Sequence, residues 1–228
     1  MRVEFVASNN LLIVESQNDK FFIERLKQEI TANFEVDVPI CCISEYECLD
    51  GLSQTRLEKK LQEIKVDIDK RGLNRIGILL DADDKGIKKR INLINESVKS
   101  IDCELTLSVV NTWYKSELLD IEISCHILKV DGSGELETVL KAIKSDDSTF
   151  ADCLDAWRDC VTHHDKEITD KDFDKFWVNI YQRYDCCSKK EKKQAGTKCN
   201  PEASLQKDIW DFAHPVLNDL KSYLAMFD

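Results

Sequence analysis

The chain has 228 residues, 43% hydrophobic and 33% charged, with 43 acidic against 32 basic side chains and a formal net charge of −11. That length is enough for one large domain or a domain with an extension, and the acidic balance argues against wrapping nucleic acid over a broad basic face. No apolar run approaches the ~20 residues of a membrane span, and MRVEFVASNN lacks an apolar stretch before a small-residue cleavage site, so a cytoplasmic protein without a secretory signal is expected.

In chain order, apolar runs and turn residues predict strands near 10–15, 36–43, 75–80, 104–110 and 121–130. Helices are expected over 19–33, 53–70 and 84–98. In the second of these, Leu57, Leu61, Ile64 and Ile68 fall on one helical face. Strands alternating with helices imply βαβ units and a mostly parallel sheet. The Trp113-containing segment between the last two strands is too brief for a long crossover helix, so an antiparallel strand at the edge is open. From about residue 134 the pattern is helical, over 134–145, 149–164, 170–185 and 203–226. The expected organisation is an α/β region over 1–133 and a helical C-terminal region over 134–228 packed on it. The stretch from Cys186 to Pro201 lacks periodicity and reads as a mobile loop.

Two of these strands end in acid. Ile76-Gly77-Ile78-Leu79-Leu80 has the character of a strand buried on both faces and runs straight into Asp81, Asp83 and Asp84. Ligands bind open α/β sheets at the carboxyl ends of strands. Two close carboxylates there call for a neutralising cation, and an all-oxygen set suits Mg²⁺ or Mn²⁺. The competing reading is a helix N-cap. Leu11-Leu12-Ile13-Val14 likewise ends in Glu15, which can serve as general acid or base beside such a metal. Asp19, four residues on, is expected to cap the helix starting near Lys20.

A strand ending in Glu, an Asp four residues later and a hydrophobic strand ending in Asp-x-Asp together resemble the TOPRIM domain of topoisomerases, bacterial primases, recombination mediators and OLD-type nucleases. Gly132-Ser133-Gly134-Glu135-Leu136-Glu137, Trp210-Asp211-Phe212 and His214-Pro215 are similar to elements of a compact bacterial TOPRIM-like family. The resemblance implies a Rossmann-like TOPRIM sheet with a helical C-terminal extension. It implies Glu15 as the acid/base, Asp81 and Asp83 as the Mg²⁺ pair, and Glu137, with Glu135 less favoured, as an additional acidic position near the metal. Ser16 departs from the pattern, which often has Gly after the glutamate, and Ser lacks the conformational freedom of Gly.

Lys85, Lys88, Lys89 and Arg90 follow the acidic strand end, and the three lysines are candidates for holding substrate phosphates. Lys189, Lys190, Lys192, Lys193 and Lys198 form a second basic cluster; a solvated helix face or loop is the favoured reading of either cluster. Phe173, Phe176, Trp177 and Ile180 stand at helical spacing and read as core rather than as a base-stacking surface. His126 reads as a core histidine, His163 and His164 as a helix end, and His214 as a helix start. The ten cysteines are expected to be reduced thiols, and a zinc group of Cys160, His163 or His164, Cys186 or Cys187, and Cys199 has irregular spacing. No phosphate-binding loop, dinucleotide fingerprint or esterase elbow is present.

Three functions follow. The first is a Mg²⁺-dependent phosphodiesterase, a nuclease on DNA or RNA that grips its substrate locally and works with a separate ATPase in defence against phage, as the resemblance to OLD-type proteins implies. The second is a noncatalytic TOPRIM-like module that binds a protein partner or regulatory nucleotide. The third, a flavodoxin-like receiver or phosphatase, lacks a convincing phosphoacceptor strand with a downstream Thr and Lys.

Overall fold

A computed structural model describes residues 8–41 and 52–228. Most of the N-terminal stretch read for a secretory signal lies outside them, as do Cys42, Cys48 and the end of the strand expected over 36–43. The protein is a mixed α/β, Rossmann-like fold. Strands β1 (Asn10–Ile13), β2 (Glu35–Val36), β3 (Arg75–Asp81), β4 (Tyr114–Ser116) and β5 (Ile121–Leu128) form one sheet in the order β2-β1-β3-β5-β4. All neighbours are parallel except β4, which runs antiparallel to β5 at the edge, with Tyr114 opposite Ile123. The antiparallel edge is therefore present, but 104–110 is not a strand. The Trp113 segment supplies the edge strand instead, because Leu105 and Leu107 turn into the core as irregular chain. Asn95 holds that chain by exchanging hydrogen bonds with the Leu107 backbone at 2.8 and 2.9 Å.

Period-2 alternation splits the sheet residues between two cores. Leu11, Ile13, Ile76, Ile78, Leu80, Ile123 and Ile127 face α2 (Gln54–Arg71) and α3 (Gly86–Val98), which follow α1 (Gln17–Leu26) in the chain. The expected stripe of Leu57, Leu61, Ile64 and Ile68 is the buried face of α2. Leu12, Val14, Leu79 and Leu128 face α1 and the chain after residue 134. That part comprises α4 (Leu136–Ala142), α5 (Thr149–Asp152), α6 (Leu154–His163), α7 (Asp170–Ile180), α8 (Lys189–Lys192), α9 (Ala195–Lys198), α10 (Pro201–Leu205) and α11 (Asn218–Ala225). A π-helical turn, Tyr181–Asp185, prolongs α7.

The stretch from Cys186 to Pro201, expected to be an aperiodic loop, contains α8 and α9, and a disulfide joins Cys187 to Cys199 across it. Four-residue helices are too short to show periodicity, and the disulfide replaces both the reduced thiols expected there and two sulfurs of the zinc group. His126 is buried, with Nδ1 2.7 Å from Asn111 Oδ1 and its ring stacked on Tyr223. His163 ends α6, and His214 accepts a hydrogen bond from the Val216 amide at the start of the last helical segment. Phe173 and Trp177 are core, whereas Phe176 is 49% exposed against the edge of Trp157, because α6 buries none of its residues. No helix among the described residues is long and apolar enough to cross a membrane.

Candidate metal centre

The parallel order β1-β3-β5 brings three strand ends to one edge of the sheet. β3 ends at Asp81, and the extended geometry does not persist to Asp83, which has a positive φ of 48°. Aspartate tolerates this region better than most residues. The turn places Asp83 against the loop after β5, where its amide donates to the Gly134 carbonyl at 2.8 Å. Glu135 is the N-cap residue of α4, its amide 3.4 Å from Thr138 Oγ1. As a result, one carboxylate oxygen from each of Asp81, Asp83 and Glu135 lies within 4.8 Å of the other two. Such a cluster is able to hold a metal ion.

Glu15 follows the end of β1, and the Cys41 amide donates to its carbonyl at 2.9 Å. Burial raises its pKa, the Arg90 guanidinium opposes that, and the Asp83 carboxylate adds to the rise. Ser16 does not need the freedom of glycine: its φ is −123°, and it is the N-cap of α1. Its hydroxyl accepts from the Asp19 amide at 3.2 Å, while its own amide donates to Asp19 Oδ2 at 2.7 Å. Asp19 thus serves the helix start as expected, although it is the third residue of α1 rather than its cap. Burial pushes its pKa up to about 7 against the Ser16 hydrogen bonds, with Glu15 and Glu137 adding to the rise.

The third carboxylate at ligand distance is Glu135, rather than the Glu137 that the resemblance favours. Glu137 stands close enough to raise the pKa values of Asp81, Asp19 and Glu135. Desolvation is the main cause of the upward shifts at Asp81, Glu137 and Glu135, the last reaching about 7. Glu135 is the extended cap residue and Glu137 lies in the first turn of α4, and spacing alone does not tell which one turns toward β3.

Of the basic cluster after Asp83, Arg90 touches this centre, and two further cations come from elsewhere in the chain. Lys85, Lys88 and Lys89 are exposed, and the Lys85 charge lowers the Glu15 pKa. Arg90, 1% exposed, pairs instead with Asp83 Oδ2. It occupies the inner face of α3 with Ile94 and Val98, a four-residue spacing that the sequence displays. Lys171 Nζ lies 3.0 Å from Asp83 Oδ1 and 3.1 Å from Glu135 Oε2, and Lys175 Nζ lies 3.7 Å from the same Glu135 oxygen. Both lysines stand on α7, which Asp174 fixes to α4 by accepting from Thr138 at 2.9 Å and Lys141 at 3.0 Å. Only a spacing of four links the two lysines in the sequence, and nothing there ties them to β3. Burial would lower the Lys171 pKa, but its hydrogen bonds and charge contacts with Asp83 and Glu135 hold it above the ordinary value.

Residues 9–227 match the family model described as a protein of unknown function, DUF3226. The chain belongs to this family. No curated protein matches it, and no solved structure does. For this DUF3226 chain the donor set therefore has to be judged on its own chemistry. Glu15 Oε2 and Glu135 Oε1 are buried without a hydrogen-bond partner. Buried carboxylate oxygens are costly without a proton, a donor or a metal. An all-oxygen set with such orphaned acceptors fits a hard divalent cation.

Proposed function

We propose that the chain is a TOPRIM-like, Mg²⁺- or Mn²⁺-dependent phosphodiesterase acting on DNA or RNA. The observation carrying this reading is the convergence of Asp81, Asp83 and Glu135 at the carboxyl edge of a parallel sheet, beside the orphaned oxygens of Glu15 and Glu135. Asp81, Asp83 and Glu135 would hold the metal, with Glu137 adding negative charge nearby. The bound metal would supply charge stabilisation at the transferring phosphoryl group. Glu15, whose burial favours its protonated form, would give or take the proton. Arg90, Lys171 and Lys175 provide positive charge for phosphate oxygens, a closer source than Lys85, Lys88 and Lys89.

An acidic surface carrying a formal charge of −11 suits a local grip rather than long duplex contact. The lack of a phosphate-binding loop in the sequence fits an ATPase supplied by another chain, and phage defence in the cytoplasm is the setting this reading implies. Mn²⁺ titration followed by cleavage assays on labelled DNA and RNA tests it. Asp81→Asn with Asp83→Asn should abolish metal binding and cleavage, and Glu15→Gln should keep the metal and lose cleavage. Full Mn²⁺-dependent cleavage by the double variant would overturn the assignment.

A second reading rests on the same ion pairs. Three cations already touch the acidic centre, an arrangement that also suits a noncatalytic module using a closed charge network to hold the shape of a partner-binding surface. It predicts no Mn²⁺ binding and a partner affinity indifferent to Glu15→Gln.

A further inference from the structure

The two cations on Asp83 differ in a way that bears on how a metal enters. Arg90 is enclosed, with Nε and Nη1 buried and unpartnered, and its side chain rises from the core face of α3. Lys171 is 46% exposed on a flexible four-carbon stem and approaches from α7, on the opposite side of the sheet from α3. Its ammonium contacts Asp83 and Glu135 at 3.0 and 3.1 Å, so it bridges two of the three proposed metal ligands. A monovalent donor there satisfies one oxygen of each. It leaves Glu135 Oε1 without a partner, and it makes no hydrogen bond to Asp81.

We propose that Lys171 is the exchangeable cation of this centre: its ammonium holds Asp83 and Glu135 together until a divalent metal displaces it, and the freed ammonium then binds an anionic oxygen of the phosphate substrate. The inference rests on the metal reading above and adds a residue that the acidic motif does not contain. The exchange is favoured by charge and coordination. A divalent cation brings two positive charges to three carboxylates and accepts Asp81 as well as the oxygen the lysine leaves bare. Lysine rather than arginine suits the task, since a compact, mobile ammonium leaves a carboxylate more readily than a bidentate fork. Arg90 stays behind and continues to neutralise Asp83.

Two affinities should move in opposite directions. Calorimetry of the full chain with Mn²⁺ alone should give Lys171→Met about tenfold to a hundredfold tighter binding than wild type, because the competing charged hydrogen bonds are gone. With Mn²⁺ saturating, inorganic phosphate should bind Lys171→Met at least about tenfold more weakly than wild type, on the same grounds. Lys171→Arg should bind Mn²⁺ no more tightly than wild type. Lys85→Met removes the same charge near Glu15 without touching the three ligands, and it should shift Mn²⁺ affinity much less than Lys171→Met. Equal Mn²⁺ binding by wild type and Lys171→Met, an equal gain in Lys85→Met, or unchanged phosphate affinity would overturn the exchange while leaving the metal reading intact. No Mn²⁺ binding by either wild type or Lys171→Met would overturn both. Lys171 is half exposed, so Lys171→Met should still fold, its metal-free form melting lower only by the charged hydrogen bonds it gives up.

Discussion

The backbones of Asp83 and Gly134 are locked to each other: the Asp83 amide donates to the Gly134 carbonyl at 2.8 Å, and the Gly134 amide donates back at 3.2 Å. This bridge ties the turn after β3 to the loop after β5 and sets Glu135 beside Asp81 and Asp83. Gly134 has a φ of +103°, outside the range a side chain tolerates, and an added Cβ would sit 3.0 Å from Thr138. Gly134→Ala should weaken Mn²⁺ binding by about tenfold or more while lowering stability by about 1–3 kcal/mol, the cost of a strained backbone position. Calorimetry and urea denaturation together read both effects.

The two glutamates of α4 separate under substitution. Glu135→Gln removes a proposed ligand and should cost Mn²⁺ affinity at least the 10–100-fold typical of altering a metal's outer partners. Glu137→Gln removes only nearby negative charge and should cost clearly less. Equal losses would place Glu137 in the ligand set.

Arg90 is the enclosed half of a buried pair with Asp83. Arg90→Leu leaves that carboxylate without its buried partner, and urea denaturation should show a loss of about 3–5 kcal/mol. Adding Asp83→Asn should recover part of it, since the charge that lost its buried partner is then gone and only the half-exposed Lys171 contact is given up.

Gly77 lies in the middle of β3, where α11 and the residues just after it pack directly on the backbone. A Cβ there would meet Phe227 and the Tyr223 hydroxyl at 2.5 Å and Leu12 at 3.0 Å. Gly77→Ala should destabilise by about 1–3 kcal/mol through overpacking. Tyr223→Phe in the same chain should return a fraction of that by removing the hydroxyl.

Acid should loosen the fold through His126. Burial lowers its pKa to about 4, opposed by Asp219 and assisted by Lys129. Because the folded value is depressed below the ordinary 6.5, the unfolded chain binds the extra proton first. Its contribution is complete above about pH 6.5 and declines as pH falls toward 4. Urea midpoints measured across that window should fall less steeply in His126→Asn than in wild type.

The strand ends were legible because a doubly buried strand needs a continuous apolar run, so the transition from Leu80 to Asp81 marks where it leaves the sheet. The buried face of α2 was legible for the same periodic reason. The edge strand was misplaced because Leu105 and Leu107 are as apolar as strand residues yet pack as irregular chain, and local sequence does not reveal a partner such as Asn95. Two one-turn helices and a disulfide escaped notice because neither leaves a periodic trace.

By itself the sequence determined the alternation of strands and helices, the acidic residues at the ends of β1 and β3, and the helical character of the chain after residue 134, since these depend on local periodicity and on abrupt changes from apolar to charged. Only the tertiary structure decided that Glu135 meets Asp81 and Asp83, that Arg90 is enclosed, and that Lys171 reaches across 88 residues to the same centre. Those contacts depend on strand order, on one backbone bridge and on where α7 docks, and none of these is encoded by the spacing of neighbours along the chain.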